Sequence, residues 1–168
     1  MLSGLHGKFT ATVALAFLLF LVLSACRPIV APTQPEEVEV PFRSIAAEEW
    51  GAGFYDIFTQ EPHLFLITSG SELSLLAPYI LPQHLELAHQ TNFKTDAVLV
   101  LLRDIQPSNK NQVVIERITK RNNTLIVHAQ YYEPAPREAA ATAHTLPYHI
   151  VKIRQGHIDE QTSLELQE

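Results

Sequence analysis

The sequence predicts an α+β fold: a single small domain, mainly antiparallel β-sheet with one packed helix, preceded by a signal peptide and a Pro-rich tether. Three observations lead there. A length of 168 residues suits one domain. The first 25 residues hold 17 of the apolar ones and a single charged side chain, Lys8, which sets them apart from the rest. Beyond Phe42, short apolar runs alternate with turn residues and lack the strand–helix spacing of a parallel doubly wound sheet.

Residues 1–25 have the layout of a secretory signal peptide, with His6 and Lys8 at the start, an uncharged apolar stretch from Phe9, and small residues before Cys26. The segment Leu23-Ser24-Ala25-Cys26 resembles the bacterial lipobox, and Cys26 is the only cysteine in the chain. That resemblance implies cleavage between Ala25 and Cys26 and lipidation of the Cys26 thiol. The protein is then expected at the cell membrane, lipid-anchored and facing outside the cytoplasm. Two or three acyl chains hold a protein stably where one holds it only marginally. The competing readings are an uncleaved membrane anchor and a secreted protein with a coincidental cysteine. Residues 26–41 follow as a tether, with Pro28, Pro32, Pro35 and Pro41 among Glu36, Glu37 and Glu39. At about 3.1 Å per residue in polyproline II, the segment reaches roughly 45 Å.

The domain is expected over residues 42–156. Phe42 to Ala47 reads as a first strand, and Gly51–Gly53 as a break. His63 to Ser69 reads as a second strand. A helix then opens with Ser69 or Ser71 as N-cap and Glu72 in its first turn; Leu73, Leu75, Leu76 and Tyr79 form its apolar face, and Pro82 ends it. Ala97 to Leu102 is a continuous apolar run, the mark of a strand buried on both faces. Val113 to Ile118 is a strand whose alternation slips at Glu116-Arg117, as at a β-bulge. Arg121 to Thr124 reads as a hairpin turn, because Asn tolerates positive φ. Thr124 to Tyr132 alternates as a strand, Tyr148 to Arg154 is the last strand, and residues 157–168 are a polar, frayed tail.

The chain carries a net charge of −6, and without its first 25 residues 18 acids face 11 bases. This balance disfavours nucleic acid as a partner, since phosphate binding rests on clustered Lys and Arg. A single cysteine excludes an internal disulfide framework and multi-cysteine metal sites.

Thr145 to Ile153, with Pro147, Tyr148, His149, Ile150 and Val151 at its centre, resembles the closing motif of the PrcB C-terminal-like family. Asn92-Phe93-Lys94 before a buried strand, a polar hairpin and Glu133-Pro134 follow the same order, so the resemblance spans residues 65–155. One departure is Lys110-Asn111-Gln112-Val113, where many members have a Gly-Gly-Tyr-like turn. The resemblance implies an accessory or binding module, since the founding type is a lipoprotein that accompanies and stabilises a surface protease complex. It implies no peptidase activity.

Residue by residue, chemistry is sparse. His149 beside Tyr148 is an acid–base or ligand candidate, but no Asp, Cys or Ser is placed by sequence to orient it. The bland alternative puts Tyr148 in the core, with His149 turned outward or satisfying a buried backbone group. His84 and His89 around Glu86 suggest a metal site, yet five residues apart on a helix they point away from each other. Thr68-Ser69-Gly70-Ser71 lacks the nucleophile elbow and suits capping. Gly51-Ala52-Gly53 is too short for a phosphate loop. Lys152 and Arg154 read as solvated charges on a strand end. Tyr131 and Tyr132, with Trp50 and Phe54, suit an aromatic patch or core packing. No catalytic residue, metal or cofactor is expected. The leading expectation is a lipid-anchored binding protein with an envelope partner such as a protease. The alternative is a small extracytoplasmic hydrolase or ligand-binding lipoprotein using the region around His149.

Overall fold

A computed structural model describes residues 36–48, 61–108, 110–135 and 142–167. The signal peptide, Ala25, Cys26, Gly51–Gly53, Trp50 and Phe54 lie outside the described residues.

The architecture is organised by β4 (Asp96–Leu102), every residue of which is buried. Val98, Val100 and Leu102 point into one core, and Ala97, Leu99 and Leu101 into another. An alternating strand with both faces covered needs apolar residues at every position, which is why this run is continuous. Four antiparallel strands make the central sheet, in the order β2 (Phe42–Glu48), β9 (Tyr148–Arg154), β4 and β3 (His63–Ile67).

Two helices cover one face of this sheet. Helix α1 (Gly70–Ser74) begins at Ser69, whose hydroxyl accepts the Glu72 N–H, while the Glu72 carboxylate accepts the Thr68 N–H at 2.7 Å. That bond from Thr68, with help from Ser69, holds the Glu72 carboxyl below its ordinary pKa. The helix expected to run on to Pro82 is thus shorter, and a second helix follows it. Pro78 has no N–H for the Ser74 carbonyl, so α1 stops and turns carry the chain through Leu75–Tyr79. Leu75, expected on the apolar face, is 74% exposed as a result. Pro82 then starts a helix rather than ending one: it is the first residue of α2 (Pro82–His89), with Leu81 held extended before it.

A second sheet covers the other face, in the order β1 (Glu37–Glu39), β6 (Gln112–Arg121), β7 (Thr124–Tyr132) and β10 (Ser163–Gln167). Its central hairpin turns through Asn122 and Asn123, with Asn122 at φ 55°, and β6 bulges between Ile115 and Arg117. Both features stand where the sequence places them. β5 (Gln106–Ser108) and β8 (Thr142–Thr145) form a small separate ribbon. Between the two large sheets, Leu99, Leu101, Ile115, Ile118, Leu125, Val127, Val151 and Ile153 make a core.

Two boundaries need correction. The tether does not run free to residue 41: β1 pairs antiparallel with β6, Val40 is buried, and the Thr119 hydroxyl donates to the Glu37 carboxylate. The tail over 157–168 is not frayed either. β10 adds to β7 in parallel, Ser163 opposite Thr124, and Leu164 and Leu166 rest against the inter-sheet core. Removing residues 163–168 is expected to lower stability by roughly 2 kcal/mol, the value of two partly buried leucines. A urea titration checks this; an unchanged midpoint would restore the frayed tail.

Candidate functional site

The strand opening Pro147-Tyr148-His149 joins several parts of the fold through its hydrogen bonds. Pro147 lacks an N–H and so suits the position just before β9, and its carbonyl accepts the Arg103 N–H at 2.8 Å. Successive side chains on a strand point to opposite faces, so Tyr148 and His149 enter different cores.

Tyr148 is fully buried on the helix side. Its hydroxyl lies 3.1 Å from the Leu81 N–H and 2.8 Å from His84 Nδ1. An N–H can only donate, so the hydroxyl accepts from Leu81, and it shares a second hydrogen bond with His84 Nδ1 whose direction follows the imidazole tautomer. The two rings meet edge to face at 6.0 Å between centroids. Tyr148 therefore fixes the start of α2.

His149 points toward the second sheet and is 3% exposed. The backbone N–H of Ile115 donates to its Nδ1 at 2.7 Å, and its Nε2 lies 2.8 Å from Ser44 Oγ. Ile115 stands beside the β6 bulge and Ser44 beside an irregularity in β2. An Nδ1 that accepts a hydrogen bond carries no proton, so the proton sits on Nε2 and is donated to Ser44. Burial lowers the pKa of the ring from 6.5 to about 4.

This polarity decides what the pair can do. A histidine acting as general base toward a serine needs a free lone pair on the nitrogen facing the hydroxyl. Here that nitrogen holds the proton, and the other takes a backbone donor where a triad would have a carboxylate. His149 satisfies a buried backbone group and ties β9 to β2 and β6.

The remaining candidates are dispersed. His84 is engaged by Tyr148, while His89 Nε2 lies 3.5 Å from Ser74 Oγ. Among the described residues no three His, Cys, Asp or Glu side chains gather as metal ligands. Ser69 caps α1, as expected. Tyr131 lies under the Arg103 guanidinium at 4.8 Å, and Tyr132 is 45% exposed. Arg103 itself, nearly buried, reaches the Tyr132 carbonyl and Glu133. Sequence reasoning missed it, along with Ser44 and Leu81. A basic residue directly after a fully apolar run was the available signal for Arg103; nothing local marks the other two.

Residues 98–154 match the model of the PrcB C-terminal family, from within β4 to the end of β9. The resemblance carried by the closing motif is shown over that stretch, which is shorter than the span read from the sequence. No curated protein and no solved structure matches the chain.

The depressed His149 pKa has a definite sign in stability. Between pH 6.5 and about 4 the unfolded chain binds a proton on this ring and the folded chain does not, so stability falls as the pH falls. The slope from this group is about 1.4 kcal/mol per pH unit, roughly 3 kcal/mol over the window. Equilibrium unfolding of wild type and His149→Gln across this range checks it. The expected result is a shallower decline in the variant; parallel curves would show that His149 titrates normally.

Proposed function

We propose that the chain is a lipid-anchored extracytoplasmic accessory protein that binds and stabilises an envelope protease complex. The observation that carries this reading is the match of residues 98–154 to the PrcB C-terminal family. The resemblance implies a module that accompanies a surface protease. The lipobox-like Leu23-Ser24-Ala25-Cys26 supports the anchor, with the thiol of Cys26 as acceptor of a diacylglyceryl group that carries palmitate-type chains. The Pro-rich segment that follows supports a domain held clear of the membrane surface.

The interior chemistry favours a binding role over a catalytic one. Tyr148 and His149, the most reactive-looking residues of the shared motif, have their polar atoms engaged by Leu81, His84, Ile115 and Ser44. A ligand carrier with its pocket between helices and sheet is also disfavoured, because Leu73, Leu76, Ile80, Val100, Tyr148 and Ile150 fill that space. Partner recognition then falls to the surface.

Labelled palmitate is expected to mark wild type and to leave Cys26→Ala unmarked and released from the membrane fraction. Wild type purified in mild detergent is expected to retain a protease reproducibly. Absence of label on wild type would remove the anchor from the account, and purification without any reproducible partner would remove the accessory role.

A further inference from the structure

Arg43 on β2 and Lys152 on β9 stand directly opposite each other across an antiparallel strand pair. Cβ atoms in such a position are about 5 Å apart, and like charges held there repel. Among the described residues no carboxylate pairs with either cation to offset this. Arg103, Lys120, Arg121 and Arg154 each have a carboxylate oxygen within 4 Å; Arg43, Lys152, Lys94 and Arg117 have none among the described residues, and of these only Arg43 and Lys152 face each other across a strand pair. The unpaired cations are the more notable in a chain of net charge −6.

The two side chains also border a hollow. A groove of about 260 Å³ lies between them and the end of α2, lined by Ile45, Leu87, Gln90 and Thr91. Leu87 offers it an exposed apolar surface, 45% open to solvent. A second hollow of about 300 Å³ shares Arg43 and Lys152 and extends past Pro41, Phe42 and Arg154. Among the described residues no carboxylate lines the first groove; Asp96, in the second, is engaged by Arg154 at 3.6 Å.

We propose that the joined grooves around Arg43 and Lys152 dock an acidic, leucine-bearing peptide segment of a partner protein. Two adjacent cations match one or two carboxylates, and Leu87 with Ile45 matches an aliphatic side chain beside them. Two hollows that share the same pair of cations suit an extended segment better than a single small anion. A flat anionic membrane suits it less, because it would confront the acidic remainder of the domain as well as the groove. The proposal rests on the accessory reading and gives it a contact surface. It also changes the role of Lys152 from a solvated strand-end charge to a recognition residue.

The test uses the blocked peptide Glu-Leu-Glu-Glu-Leu-Glu as probe, its all-Gln counterpart as control, and amide chemical shifts as readout. The acidic peptide is expected to shift signals at Arg43, Leu87, Gln90, Thr91 and Lys152, with affinity falling several-fold as salt rises. Arg43→Glu/Lys152→Glu is expected to weaken binding at least tenfold, and the neutral Arg43→Gln/Lys152→Gln keeps the comparison valid if charge reversal disturbs the strands. Equal shifts from the Gln peptide, shifts centred elsewhere, or undiminished binding by both variants would overturn the proposal. So would phosphatidylglycerol vesicles shifting these signals when the peptide does not. A protease retained equally by wild type and variants defeats the groove alone; one retained by neither defeats the accessory reading.

Discussion

A bulged strand carries a backbone N–H that its sheet partner cannot receive, and in this domain that donor is Ile115, buried between two sheets. Left unpaired, such a group costs about 1–3 kcal/mol. His149 Nδ1 receives it at 2.7 Å while Nε2 engages Ser44 at 2.8 Å. An imidazole can accept on one ring nitrogen and donate on the other, so a single rigid side chain serves both neighbours. Through it β9, already paired with β2 and β4 in the central sheet, is joined to the second sheet.

The neighbouring position does the same for the other face. Tyr148 fills the helix-side core and meets the Leu81 N–H, just where Pro82 commits the chain to α2. Pro147 adds the bond to Arg103 and, with it, the end of β4. Three consecutive residues thus hold helix, central sheet and second sheet in register. The polar atoms of the motif are used inside, which gives it a structural role in the domain. In the proposed accessory role, recognition falls to surfaces the motif supports, among them the end of β9 that carries Lys152.

Much of this was legible in the sequence. The unbroken run Ala97–Leu102 identifies a strand covered on both sides, Asn122-Asn123 the hairpin, and the slip at Glu116 the bulge. The missing parts share physical causes. Glu37–Glu39 and Ser163–Gln167 are short edge strands with mixed polarity, and their pairing is set by partners far along the chain. Leucines at 73, 75 and 76 suggest one helix, but Pro78 has no N–H for a helical bond to the Ser74 carbonyl, which accepts from Ala77 in a turn instead. The alternation that sends Tyr148 and His149 to opposite faces follows from strand geometry alone. Their partners do not, because Ser44 is 105 residues from His149 and Leu81 is 67 from Tyr148.

The central claim is that His149 is a neutral, inward-facing connector with its proton on Nε2. Ring nitrogen NMR on the folded protein tests it most directly. The account predicts a single Nε2–H tautomer, Nδ1 coupled to the Ile115 amide proton, and no titration until the pH approaches 4. A ring that titrates near 6.5, or that carries its proton on Nδ1, would contradict it.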